Sequence, residues 1–567
     1  MYEGVNASEG IGIGKVVVAV EPDLSFTPTT VEDTAAERAR YGRALEAFIK
    51  KTEKQADHLC RTIGEQEAEI MQGHIAMAND PGLLDEINRL IDSGVMAEQA
   101  LTEATTMFEN MFLSMDDEMF RLRATDVADI RTGILAQLLG KEIVDLSTLP
   151  AGSVVAVHDL TPSMTATIDK DNVVGIVTET GGRTSHSAII ARALEIPAVL
   201  SVVNCCAAMR RGTTAIVDGT CGVVILDPDE KTLAEYTKKA EEFAAEKAEL
   251  ERFRGQPTKT ADGIEKIIGA NIGNPDDAVA AMEHDAEAIG LFRTEFLFMD
   301  AKQLPSEDEQ FEAYKKAAVT AKGASVIIRT LDVGGDKEIA YLHMKKEDNP
   351  FMGYRAVRYC LGNPDQYKVQ LRALLRASAF GKIMIMIPLV TAVEEVRAVK
   401  ALVEECKAEL RDKNIEFNED IKVGVMMETP SASLIADRLA CEADFFSIGT
   451  NDLIGYTMCA DRGNDRVGYL YSVYYPSVLR SIKNIIECGV RAGIMVGMCG
   501  EAAADPLLEP LLISFGLEEF SMSAPSVLRA RKTISLWTKK EADELAERAL
   551  ACSTIEEVKA ILTEAAR

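Results

Sequence analysis

The stretch 383-IMIMIPLVTAVEEVRAVKALVEECKAELRDKNIEFNEDIKVGVMME-428 decides the fold. Two short apolar runs, 383-IMIMIP and 422-KVGVMME, flank 392-AVEEVRAVKALVEECKAEL-410, whose apolar residues recur at helical spacing. An unbroken apolar run suits a strand covered on both faces, and the segment between is an amphipathic helix, so the unit is β–α–β with a parallel pair. Six more runs of the same kind surround it: 266-KIIGAN, 287-EAIGLFR, 325-SVIIRTLD, 444-DFFSIGTND, 495-MVGMCGE and 518-EEFSMSA. Eight β/α units after Gly263 predict a C-terminal (β/α)8 TIM-type barrel over residues 259–567.

The remainder of the chain has other textures. Residues 10–20 and the runs 153-SVVAV-157, 173-VVGIV-177, 198-AVLSVV-203, 214-TAIVD-218 and 223-VVIL-226 read as strands. Between the first and second of these the chain is charged and helix-periodic. Its helices break at Asp80-Pro81-Gly82 and Ser93-Gly94, and a capping box is expected at 29-TTVE-32. Residues 1–22 and 143–227 therefore form one α/β domain, into which an all-helical domain, 23–142, is inserted. The charged run within 228–258 predicts a long, solvated linker helix. The fold class is multidomain α/β.

Composition sets limits. The 567 residues carry a net charge of −29, which argues against nucleic acid and anionic membranes as partners, so an anionic substrate needs a locally built basic pocket. Eleven cysteines without a CxxC pair predict neither a disulfide framework nor a zinc site, although Cys205 and Cys206 are adjacent. With no apolar run of membrane-spanning length and no leader pattern, the expected location is cytoplasmic.

Polar residues collect where the barrel strands end. Arg293, Arg329, Glu428, Asn451, Asp452 and Cys499 each close or follow an apolar run, and in barrels of this type the C-terminal strand ends carry the active site. Arginines clamp carboxylate and phosphate by bidentate bonds. Glu428 and Asp452 suit Mg2+, which takes few protein ligands and completes its shell with water and substrate oxygens. Arg462 is a further cation near the same end. Together they fit a small phosphorylated acid. Singly, each has an ordinary alternative: a surface ion pair for an arginine, a buried small apolar group for Cys499.

A second candidate lies in 178-TETGGRTSHSAIIARALEIPAV-199. Thr184 or Ser185 caps a helix whose apolar side carries Ile189, Ile190 and Leu194, which puts His186 in the first turn. The positive end of the helix dipole disfavours imidazolium there, leaving a neutral ring that can accept a phosphoryl group. Gly181 and Gly182 let the backbone come close. An ordinary histidine at a helix start is the plain alternative.

GGRTSHSAIIARALEIPAV resembles the phosphohistidine signature of the phosphoenolpyruvate-utilising enzymes. With 291-LFRTEFLFMD, 327-IIRTLDVGGDK, 425-VMMETP, 448-IGTNDLIGYT and 497-GMCGEAA, the chain closely resembles the enzyme I family of the bacterial phosphoenolpyruvate:sugar phosphotransferase system. The likeness covers essentially the whole chain, including 124-ATDVADI and 159-DLTPSMTA. It implies that phosphoenolpyruvate binds the barrel with Mg2+, phosphorylates His186, and leaves as pyruvate. His186 then passes the phosphoryl group to a histidine of the carrier HPr, the first step of sugar uptake. In that scheme Arg293 and Arg329 contact the transferring phosphate, and Glu428 and Asp452 ligate Mg2+. Asn451 and Arg462 complete the substrate shell, Cys499 protonates the enolate carbon, and Thr165 hydrogen-bonds the His186 ring. The resemblance also implies a swivelling phosphohistidine domain, HPr docking on the inserted helices, and a homodimer formed through the barrel.

Departures from the family pattern fall at 8-SEG-10, Met164, 453-LIGYT, 471-YSVYYP-476 and 74-HIAMANDPG, none of them a proposed catalytic residue. Two rivals share some of these features. A pyruvate phosphate dikinase or phosphoenolpyruvate synthase needs an ATP-binding domain, yet the histidine domain begins at residue 1 and no GxxxxGK[ST] loop occurs. A scaffold that lost turnover would not need the full set of barrel residues.

Overall fold

A computed structural model describes the chain except residues 20–22, 63–64, 114–117, 142–145, 147–148, 161–163, 165–167, 183–184, 300, 302, 335–338, 343, 346, 462–463 and 465. Side chains at 58–62, 65–70, 118–122, 125, 186, 189, 193 and 340 are also outside the description. Two compact units result, Met1–Lys247 and Ala248–Arg567.

The first unit is built on an eight-stranded sheet: β1 (Tyr2–Glu3), β2 (Val5–Ser8), β3 (Ile11–Val18), β4 (Ser153–Val157), β5 (Val173–Thr178), β6 (Ala198–Leu200), β7 (Thr214–Asp218) and β8 (Val223–Leu226). Their order is β1-β8-β7-β3-β4-β5-β6-β2, with β3 to β6 parallel and the outer strands antiparallel. The central strands are buried on both faces, and two apolar clusters cover them, one around Val155 and Ile176, the other around Val154 and Val217. The run expected at 198–203 pairs only over Ala198–Leu200, because Ser201 turns to a positive φ of 57°.

Five helices from Thr34 to Leu139 fall between β3 and β4 and share their own core around Ile87, Leu101 and Ile134. They break where Pro and Gly dictate, after Ala78 and after Asp92. The expected capping box at 29-TTVE-32 is not the helix start. Asp33 takes that role, its Oδ1 accepting from Ala36 N at 2.9 Å, while Thr30 pairs with Val95 as an isolated bridge. The helix Glu230–Glu251 buries none of its side chains, and pairs such as Glu235–Lys239 at 2.8 Å brace it locally.

In the second unit all eight expected strands form: β9 (Ile267–Ile272), β10 (Ala288–Arg293), β11 (Ser325–Arg329), β12 (Lys382–Ile387), β13 (Lys422–Met427), β14 (Phe445–Ile448), β15 (Met495–Met498) and β16 (Glu519–Met522). They close a parallel barrel in sequence order, β16 returning to β9. Leu291, Ile327, Met384, Met386, Met426 and Phe445 fill one side of its interior. The other side holds an acid: Glu519 is 1% exposed, and neither carboxylate oxygen has a hydrogen-bond partner among the described residues. Glycines make room for it. A Cβ at Gly497 would stand 2.5 Å from Glu519 Oε2, and one at Gly290 would stand 2.7 Å from Oε1.

Candidate active site

The barrel brings six of the expected residues to one end. Arg293 and Arg329 are the last residues of β10 and β11 and are Cα register partners across the two strands. Glu428 follows β13 directly, Cys499 follows β15, and Asn451 and Asp452 lie in the first turn of the helix Thr450–Met458 that leaves β14. Because parallel strands all point the same way, these positions gather at one rim. Arg462 lies outside the described residues.

Buried charges are held in a chain of ion pairs. Arg329 Nη2 donates to Glu295 Oε1 at 2.7 Å, and Nη1 lies 3.3 Å from Asp332 Oδ2. The other oxygen of Asp332 accepts from Arg355 Nη2 at 2.8 Å, and that same nitrogen lies 3.3 Å from Asp452 Oδ2. Both Arg329 Nε and Arg355 Nε are buried with no hydrogen-bond partner among the described residues. A buried N–H left unmet is costly, and an anionic ligand is the natural group to meet it.

The carboxylates have the opposite deficit. Glu428 is 2% exposed, and its Oε1 accepts from Leu389 N at 2.6 Å. Burial, then the like charges of Asp452 and Asp332, push its carboxyl up to about 8, against the pull of Arg329 and the Leu389 amide. A cation beside Glu428 and Asp452 would remove that repulsion, so the donor set fits a hard divalent ion.

Cys499 is buried with its Sγ 3.8 Å from Ile448 O. Burial pushes its thiol up to about 11, although Ser447, Arg329 and Arg293 all pull the other way. At neutral pH the sulfur keeps its proton. Asn271 fixes the strand end, its Nδ2 donating to Cys499 O at 3.0 Å.

In the first unit, Ser185 is the N-cap of the helix His186–Ala193, its Oγ accepting from Ala188 N at 3.3 Å, while Thr184 lies outside the described residues. His186 is the first helical residue, as expected. Gly181 sits at φ 102°, where a side chain would be strained, and the Gly182 carbonyl accepts from Ser185 Oγ at 2.8 Å. The next residue, Ser187, donates to Leu160 O at 3.1 Å, tying the helix to the segment after β4. The ring of His186 and the whole of Thr165 lie outside the described residues. Of the helix's expected apolar side, Ile190 is buried and Leu194 packs against the core.

Glu295, Asp332 and Arg355 were not singled out from sequence. Asp332 and Arg355 lie beyond strand ends, in the segment after β11, and Glu295 opens a five-residue helix. The signal that could have found Arg355 is the pair of arginines close after a glycine in 353-GYRAVR-358.

Comparison with known proteins gives the family. Residues 3–123 match the N-terminal domain of PEP-utilising enzymes, 149–222 their mobile domain and 247–538 their PEP-binding domain. The phosphoenolpyruvate-protein phosphotransferase of Staphylococcus carnosus (strain TM300) is 46% identical over 563 residues, covering 99% of this chain and 98% of the relative. The chain belongs to the phosphoenolpyruvate-protein phosphotransferase family. It is a phosphotransferase of the PEP-utilising type. The Bacillus subtilis (strain 168) member is also 46% identical over 563 residues, with 99% of each chain covered. A solution structure described as Enzyme I (nEIt) is 38% identical, covers 43% of this chain and all of its own, and superposes with a TM-score of 0.40. Among the described residues, no helix is long and apolar enough to cross a membrane.

Proposed function

We propose that the chain takes the phosphoryl group of phosphoenolpyruvate onto His186 and hands it to a histidine of the carrier HPr, opening sugar uptake by the phosphotransferase system. The observation that carries the residue assignment is the meeting of the Arg293–Arg329 pair with a protonated, buried Cys499 at one barrel rim. Arg293 and Arg329 hold the phosphate, with Arg355 extending the cationic wall and Asn451 and Arg462 completing the substrate shell. Glu428 and Asp452 hold Mg2+. When bound, Mg2+ neutralises charge on the phosphate and enolate oxygens.

The P–O bond to the enol oxygen breaks as the bond from phosphorus to the His186 imidazole forms. Cys499 then gives its proton to the methylene carbon of the enolate, producing pyruvate, and the thiolate recovers a proton from solvent. Since ketonisation of the enol drives the transfer, the residues chiefly position and neutralise. Thr165 orients the His186 ring. In this reading the α/β phosphohistidine domain is 1–22 and 143–227, the helical HPr-binding insert 23–142, the linker 228–258 and the barrel 259–567. The active form is a cytoplasmic homodimer assembled through the barrel.

The test is incubation with phosphoenolpyruvate labelled in its phosphate, with Mg2+ and without ATP. An acid-labile label that appears on the chain, moves to added HPr and is absent in His186→Ala is expected. Label that demands ATP, or that persists in His186→Ala, overturns the assignment.

A further inference from the structure

Sequence spacing predicts no thiol metal site, yet the fold of the first unit builds a candidate. Cys205 and Cys206 open the short helical turn Cys205–Ala208, and their sulfurs lie 4.0 Å apart. Glu179, which follows β5, reaches them across the sheet end: a carboxylate oxygen and the two sulfurs all lie within 4.8 Å of one another. The site is braced from several sides. Glu179 Oε1 accepts from Cys206 N at 3.0 Å, and Oε2 lies 2.7 Å from His158 Nδ1. Val202 N donates to Thr178 O at 2.8 Å, joining the two segments by their backbones.

We propose that Cys205, Cys206 and Glu179 bind a thiophilic divalent cation of the Zn2+ class, with His158 steadying the carboxylate. Two sulfurs each about 2.3 Å from a tetrahedral Zn2+ are separated by roughly 3.8 Å, close to the spacing between these two thiols. A carboxylate as third donor leaves one position for water, a coordination number Zn2+ accepts. The imidazole against Glu179 repeats the outer-shell contact that orients metal ligands. Softness settles the class: paired sulfurs select Zn2+ or Cd2+ over Mg2+, so this site does not compete for the cation proposed at Glu428 and Asp452. Cys205 is 1% exposed, whereas the His158 side chain is 62% exposed and marks the open side from which a cation enters.

The proposal is tested on the full chain, kept reduced by a phosphine and held in excess Mg2+, by titrating Cd2+ and following the sulfur-to-cadmium absorption in the ultraviolet. Cys221, Cys441 and Cys459, whose thiols are the solvent-exposed ones among the described residues, and Cys60 are first replaced by serine to clear the background. One Cd2+ per chain, displaced by Zn2+ and indifferent to Mg2+, is expected. The band disappears in Cys205→Ala/Cys206→Ser, and His158→Ala weakens binding about tenfold while keeping it. Should the double variant fail to fold, Glu179→Gln keeps both thiols and is expected to weaken binding by at least about tenfold. A band that survives loss of both thiols, that Mg2+ abolishes, or whose affinity is unchanged in Glu179→Gln overturns the site.

Discussion

Arg355 Nη2 stands 3.3 Å from Asp452 Oδ2, joining a residue of the post-β11 segment to a candidate cation ligand on the helix that leaves β14. The arginine also spans to Asp332 at 2.8 Å, so one guanidinium sets the position of two acids. A lysine keeps the charge but loses Nη1, which donates to Tyr456 Oη at 3.3 Å, and the buried Nε–H that faces the site without a partner among the described residues. Arg355→Lys is expected to lower kcat/KM for phosphoenolpyruvate about 100-fold. The measurement is steady-state kinetics beside a thermal melt. Activity within a few-fold of the parent would remove Arg355 from the site.

Cys499 owes its proton to its surroundings. With the thiol at about 11, its donor form is complete at neutral pH and is lost only as pH rises through that value. Cys499→Ala is expected to slow pyruvate formation by about 10²- to 10⁴-fold, the range of a lost general acid. At pH 7 the parent Cys499 should alkylate far more slowly than the exposed Cys441. Peptide mapping after iodoacetamide treatment reads both rates in one sample.

Glu519 links barrel stability to pH. Burial, with a smaller push from Glu518, raises its folded value to about 7 from the ordinary 4.5. A carboxyl raised on folding stabilises fully below its unfolded value, and that contribution is lost as pH climbs through the folded one. Compared with Glu519→Gln, the parent should lose about 3 kcal/mol between pH 4.5 and pH 7. Urea midpoints of both proteins at pH 5 and pH 8 give the difference; a pair of parallel profiles would contradict it.

Ser185 holds the first turn on which His186 stands. Removing the cap costs about 1 kcal/mol, confined to that helix. Ser185→Ala should therefore speed amide exchange at Ala188 and its neighbours roughly fivefold, leaving barrel amides unchanged. Hydrogen exchange resolved by peptide is the measurement, and an even change over both units would refute a local effect.

Legibility differed between the two units for physical reasons. Barrel strands such as 383-IMIMIP are covered on both faces, so they stand out as unbroken apolar runs, and the rim residues follow from where those runs stop. Arg355 escaped that logic because a loop, not a strand end, delivers it, and Asp332 closes the expected run 325-SVIIRTLD but lies three residues past Arg329, where the strand ends. In the first unit β2 is only Val5–Ser8, with half its residues polar, and nothing in VNAS distinguishes an edge strand from a turn. Asp33 was passed over as cap because 29-TTVE-32 offers the same chemistry a few residues earlier. Only the pairing of Thr30 with Val95 separates them. The thiol pair was visible from the start, but Glu179, 26 positions upstream of Cys205, is joined to it by tertiary structure alone.

The glycines around Glu519 carry an evolutionary consequence. A methyl group at Gly497 or Gly290 would collide with the carboxylate, and at Gly290 it would also lie 2.4 Å from Ser521 Oγ. None of these positions can enlarge while the acid remains, and shortening the acid alone leaves a hole the size of the missing atoms. Variation here is forced into coordinated steps, so homologues that replace Glu519 by a small residue should carry bulk at 497 in the same lineage, whereas 290 stays glycine for as long as Ser521 is kept.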